Sequence, residues 1–237
     1  MKIHLAIILF IISLGTQAQQ MEAAGLTYIM QKPRVQSVKP PLLIMLHGYG
    51  SNEQDLMGLV KYLPTHLLVV AARAPISLSA GSYAWYRMDL SSGKPVYDVK
   101  EAELARQTML NFIDEVKTTY NASEVLLMGF SQGAIMSYSV ALTQPQKIKG
   151  IVALSGRILT DIDAHLASPE ELKKMNIFIG HGTSDQVLPF YNSEAAFLKC
   201  KNAGTNVVFK EYSMGHEISF AEVSDIQQWL KGVLEQK

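Results

Sequence analysis

Near the middle of the chain, Gly129-Phe130-Ser131-Gln132-Gly133 follows directly on the apolar run Val125-Leu126-Leu127-Met128. A buried strand that ends on Gly-x-Ser-x-Gly and passes at once into a helix holds its serine on a sharp, exposed turn. The glycines on either side leave room for that turn without a Cβ clash. A serine hydroxyl presented this way becomes a useful nucleophile only beside a base, and the base must be oriented by a carboxylate.

Six histidines could serve as that base. His4 lies in an apolar N-terminal leader. His47 follows the apolar run 42–46 and opens His47-Gly48-Tyr49-Gly50, a position suited to bracing a loop at the site. His66 precedes a strand and so sits at the end away from the serine. His165 falls in a polar loop. His181 closes the run 177–180 and opens His181-Gly182-Thr183-Ser184-Asp185, while His216 lies in Ser213-Met214-Gly215-His216-Glu217, between the last strand and the last helix. Among these, Ser131, Asp185 and His216 alone run in the order nucleophile, acid, base with each member on a loop after a strand. The plain alternatives are a turn or capping aspartate at 185 and a structural histidine at 216.

Such a site also needs two fixed backbone donors for a developing oxyanion. The amide of Gln132 is one, free at the start of its helix. The amide of Tyr49 is the other, on a loop whose glycines allow close approach. His216-Glu217 invites a zinc-protease reading, but the second histidine of that motif is missing, because position 220 is Phe220. No other His/Cys/Asp/Glu group has ligand spacing and no dinucleotide fingerprint is present, so neither a metal nor a cofactor is expected.

The elements that must position these residues follow from hydrophobic patterning. Apolar runs at 42–46, 67–72, 125–129, 148–154 and 177–179 read as strands buried on both faces. Shorter strands are expected at 26–30 and 207–212. Helices are expected at 53–62 (capped by Asn52), 101–116 (Leu104, Met109, Phe112 and Val116 inward), 134–142, 191–202 and the C-terminus. The alternation predicts an α/β protein with a mostly parallel central sheet and helices on both faces. Reactive loops in such sheets gather at the carboxyl ends of the strands.

A chain of 237 residues with 48% hydrophobic and 18% charged residues suits one well-cored domain. Lys+Arg and Asp+Glu number 21 each and no basic block stands out, so nucleic acid is not an expected partner. Residues 1–18 read as a signal peptide: Met1-Lys2, an apolar stretch too short to span a bilayer, then Thr16-Gln17-Ala18 at a cleavage site. Residues 19–237 would then form the domain, exported to a periplasm or secreted, with no stable membrane insertion. The single cysteine, Cys200, is expected to be a half-buried small hydrophobe on its helix.

The sequence resembles the phospholipase/carboxylesterase family of α/β-hydrolases, which includes acyl-protein thioesterases. The resemblance rests on Leu46-His47-Gly48-Tyr49-Gly50, Gly129-Phe130-Ser131-Gln132-Gly133, His181-Gly182-Thr183-Ser184-Asp185 with Val187 and Pro189, and Met214-Gly215-His216-Glu217. It implies Ser131 as nucleophile, His216 as base, Asp185 as acid, and the Tyr49 and Gln132 amides as oxyanion donors. Ala84-Trp85-Tyr86 resembles the family's aromatic segment near the acyl pocket, leaving Trp85 either lining the substrate site or packing in the core. A serine carboxylesterase acting on small to medium acyl esters is the implied function. An acyl thioesterase, a lysophospholipase, or a non-catalytic binding protein on the same scaffold are the alternatives, and the oligomeric state is left open.

Overall fold

Four runs, Leu42–Leu46, Leu68–Ala72, Gly150–Leu154 and Asn176–Gly182, are buried at every position. Continuous apolar strands of this kind are stable only when both faces are covered. The computed structural model describes residues 19–89, 91 and 96–236; the expected signal peptide lies outside them. Its main sheet has eight strands: β1 Met21–Ala23, β2 Leu26–Gln31, β3 Leu42–Leu46, β4 Leu68–Ala72, β5 Val125–Phe130, β6 Gly150–Leu154, β7 Asn176–Gly182 and β8 Asn206–Tyr212. Their spatial order is β1-β2-β4-β3-β5-β6-β7-β8, with β1 and β2 antiparallel and the remainder parallel. This is the α/β-hydrolase fold.

Successive side chains along a strand point to opposite faces, so each strand feeds two cores. Leu43, Met45, Val69, Leu126, Met128 and Phe178 face one core, closed by helix α4 (Phe220–Glu235) and a 3₁₀ segment, Asp55–Tyr62. Ile44, Val70, Leu127, Ile151 and Ile177 face the other, closed by α1 (Val99–Thr119) and α2 (Gln132–Thr143), with Ala196 and Cys200 of α3 (Tyr191–Asn202) added. Helix α2 is buried along its whole length.

Three details differ from the sequence reading. Residues 55–62 form a 3₁₀ segment and not the α-helix expected from 53. Asn52 accepts from the Gln54 amide and donates to Gly81 O, so its side chain is spent tying this loop to a neighbouring hairpin. Leu104 is 67% exposed, because the inward stripe of α1 is set by Ala102, Ala105, Met109, Phe112 and Val116, and Leu104 is about 100° off it. Cys200 is fully buried, which pushes its thiol up to about 12. Among the described residues no helix is long and apolar enough to cross a membrane.

A buried carboxyl on α4 gives the fold a pH dependence. Glu222 is 0% exposed and lies against Gly180 of β7, with neither oxygen hydrogen-bonded among the described residues. Burial raises its pKa from 4.5 to about 8, the nearby Ser219 amide offsets part of that rise, and the Asp225 carboxylate adds to it. The folded state therefore holds a proton that the unfolded chain gives up near 4.5, and stability falls as pH rises from there to about 8. The whole window is worth on the order of 5 kcal/mol. Glu222→Gln should match the wild type in chemical denaturation at pH 5 and exceed it at pH 8.5. A wild-type advantage at the higher pH would mean that the carboxylate is paired after all.

Candidate active site

The Gly-x-Ser-x-Gly turn joins β5 to α2. Ser131 takes φ 54°, ψ −118°, a strained left-handed conformation for a residue with a Cβ, and its amide donates to Leu154 O at 2.9 Å. Of the flanking glycines, neither has positive φ; they are needed for space. A Cβ on Gly129 would lie 2.2 Å from Gly133 O, and one on Gly133 would lie 2.0 Å from Leu46 O. The strain falls on the serine because the glycines let the helix start pack directly against the ends of β3 and β5.

Three loops at the carboxyl ends of β5, β7 and β8 bring Ser131, Asp185 and His216 together. His216 Nε2 lies 3.0 Å from Ser131 Oγ, and its Nδ1 lies 2.7 Å from Asp185 Oδ2. A carboxylate can only accept, so Nδ1 carries the proton and Nε2 is left free to receive the serine's. Phe130 packs against the imidazole with ring centroids 4.8 Å apart. Asp185 Oδ1 accepts from the Val187 and Leu188 amides, both at 2.8 Å. Burial alone would raise the pKa of Asp185, but its bonds from His216 and the two amides outweigh this and hold it below the ordinary value.

A second histidine touches the same carboxylate. His181 Nε2 sits 3.2 Å from Asp185 Oδ2 and 2.7 Å from Leu188 O, while its Nδ1 meets Ser193 Oγ. Burial lowers its pKa and so favours the neutral ring beside Asp185. In the sequence His181 stands out only as the start of a motif; a strand-end histidine four residues before Asp185 was the available signal.

His47 is buried behind the next loop. It donates from Nδ1 to Gly48 O at 2.7 Å and accepts at Nε2 from the Ala74 amide at 3.0 Å, tying the loop after β3 to the chain leaving β4. Burial lowers its pKa and preserves this neutral form. That loop is braced further by Glu53, which takes two bonds from Arg73 at 2.6 and 2.7 Å. Gly48 lies against Ser131, where a Cβ would come within 3.3 Å of Ser131 Cβ. Among the described residues neither the Tyr49 nor the Gln132 amide donates to a protein acceptor.

Trp85 does not line the site. It is 1% exposed, and its indole N–H donates to His47 O at 3.0 Å, so it supports the loop from behind. The Gln132 side chain completes this support, accepting from the Trp85 amide at 2.9 Å and donating to Tyr86 O at 2.7 Å. The aromatic segment was legible, but its direction depends on those two long-range bonds, which local pattern does not encode.

Two cavities border the Ser131–His216 pair, one lined by Ser131 and the other by His216. One, of about 270 Å³, is lined by Met88, Ile135, Val187, Leu188 and Arg157 beside Ser131 and Gln132. The other, of about 280 Å³, holds His216 with Asp55, Leu59, Glu217 and Ile218. The arrangement can pass a proton from Ser131 Oγ to His216 Nε2, and the Tyr49 and Gln132 amides are left without a protein acceptor among the described residues.

A model of the phospholipase/carboxylesterase family matches residues 30–234. The chain belongs to that family. A carboxylesterase from Arabidopsis thaliana, SOBER1, is 28% identical over 163 residues, covering 66% of this chain and 72% of the relative. Acyl-protein thioesterase 1 of Kluyveromyces lactis is 28% identical over 209 residues, covering 81% and 92%. The crystal structure of a Bacillus cereus carboxylesterase superposes with a TM-score of 0.76 at 25% identity, covering 88% of this chain and 94% of that one. These relatives mark the family member as a hydrolase of the esterase and thioesterase kind.

Proposed function

We propose that this hydrolase is a serine carboxylesterase that cleaves small to medium acyl esters through an acyl-serine intermediate. The observation carrying that reading is the continuous chain from Ser131 Oγ through both nitrogens of His216 to Asp185, at 3.0 and 2.7 Å. In it Ser131 attacks the carbonyl, and His216 takes the hydroxyl proton and passes it to the leaving alcohol. Asp185 steadies the imidazolium, and the Tyr49 and Gln132 amides receive the oxyanion. Water activated by His216 then releases the acid.

A pocket of about 270 Å³ sits at the small end of ligand sites and favours short acyl groups over bulk lipid. Thioesters are the second reading, supported by the relative named acyl-protein thioesterase. The leader over residues 1–18 supports export with cleavage after Ala18. The test pairs a fluorophosphonate probe with matched p-nitrophenyl esters and thioesters. Modification of Ser131 by the probe, with esters turned over faster than the thioesters, is expected. A folded sample that resists the probe would favour a binding protein, and faster thioester turnover would favour the second reading.

A further inference from the structure

Apart from Ser131 and Gln132, the pocket beside Ser131 has an apolar described lining with one exception. Arg157, three residues beyond the end of β6, lines it together with Met88, Ile135, Val187 and Leu188. Among the described residues Arg157 forms no ion pair and donates no hydrogen bond, although every Asp and Glu side chain of the protein is described. Its guanidinium carbon stands 5.7 Å from the ring centroid of Tyr97, whose hydroxyl is bonded to Asp161. Asp161 lines a different cavity, against α1, and so does not neutralise the cation from within the pocket.

The two cavities divide the substrate. The leaving oxygen must reach His216, so the alcohol belongs on the side lined by His216, Asp55 and Glu217. The acyl chain then extends into the cavity on the Gln132 side, which His216 does not line. A cation meets the acyl end, and carboxylates flank the alcohol. An arginine on an apolar wall is well matched to a carboxylate, which its fork binds by two parallel bonds.

We propose that Arg157 sets acyl specificity, selecting half-esters of short dicarboxylic acids whose free carboxylate meets the guanidinium while the methylene spacer lies against the apolar wall. This rests on the acyl-serine reading above. Ser131 Oγ bonds to the ester carbonyl carbon, the C–O bond to the alcohol breaks, and the alcohol leaves with the proton Ser131 gave to His216. Water then gives its proton to His216 as its oxygen bonds to the acyl carbon, the bond from that carbon to Ser131 Oγ breaks, Oγ takes the proton back from His216, and the diacid departs.

The test compares ethyl hydrogen glutarate with ethyl pentanoate, and ethyl hydrogen adipate with ethyl hexanoate, by ethanol release. Active sites are counted with a fluorophosphonate so that folding losses cancel. The wild type should prefer each half-ester in kcat/KM. Arg157→Gln should reduce that preference about 10- to 100-fold, mainly through KM, with the neutral esters changed less than threefold. Arg157→Lys, keeping the charge without the fork, should fall between. A preference that survives in Arg157→Gln, or a wild type that favours the neutral esters, overturns the proposal and leaves the esterase reading standing. A wild type that releases ethanol from none of the four overturns both.

Discussion

Ser131→Ala is expected to lower kcat on p-nitrophenyl esters about 10⁶-fold, to the level that binding and oxyanion donors supply without a nucleophile. The substitution is clean in this fold. Alanine keeps the Cβ and meets the same φ of 54° that serine does, so the strain of the turn is unchanged. The backbone bond from residue 131 to Leu154 O is also retained. His216 loses its 3.0 Å partner but stays bound to Asp185. Stability should therefore stay within about 0.5 kcal/mol, and the loss should fall on kcat with little change in KM. Steady-state kinetics and thermal denaturation of the same preparation check both halves. Retention of even one part in a hundred of the wild-type rate by folded protein would remove Ser131 from its assigned role.

The residues of the candidate site were more legible in the sequence than their supports. Gly129 to Gly133 and the segments around Asp185 and His216 each sit at a strand end, and strands of continuous apolar residues announce themselves. Topology then does the rest: once β5, β7 and β8 are parallel, their carboxyl ends share one edge of the sheet. What stayed hidden depends on contacts between distant segments. Trp85 turns inward because His47 O, 38 residues earlier, accepts its indole proton. Leu104 points outward because the small residues Ala102 and Ala105 define the buried face of α1, and composition alone favours the leucine. Glu222 lies on the apolar stripe of α4 that includes Ile226 and Leu230, where a charged residue would be read as a break in the pattern. Arg157 had a faint signal, a cation soon after a wholly apolar strand, but only the fold shows which cavity receives it.

Asp185 supplies the second large prediction, since Asp185→Asn cannot satisfy its neighbours in either orientation. All four contacts to the carboxylate come from nitrogens: the amides of Val187 and Leu188 at one oxygen, His216 and His181 at the other. An asparagine with its NH₂ toward His216 sets a donor against Nδ1–H, so the imidazole must shift its proton to Nε2. That nitrogen then offers Ser131 a proton where it should take one. The reverse orientation aims NH₂ at two backbone N–H groups, leaving buried donors unpaired at a cost of about 1–3 kcal/mol each. The first orientation keeps the loop 185–188 bonded and should prevail, with kcat reduced about 10⁴-fold and KM nearly unchanged, the loss seen when a serine-protease triad is altered in the same way. Asp185→Ala removes the same acceptor without adding donors, so it should lose comparable activity and more stability. An Asp185→Asn enzyme within tenfold of the wild-type kcat would show that His216 is held in its working tautomer by something other than this carboxylate.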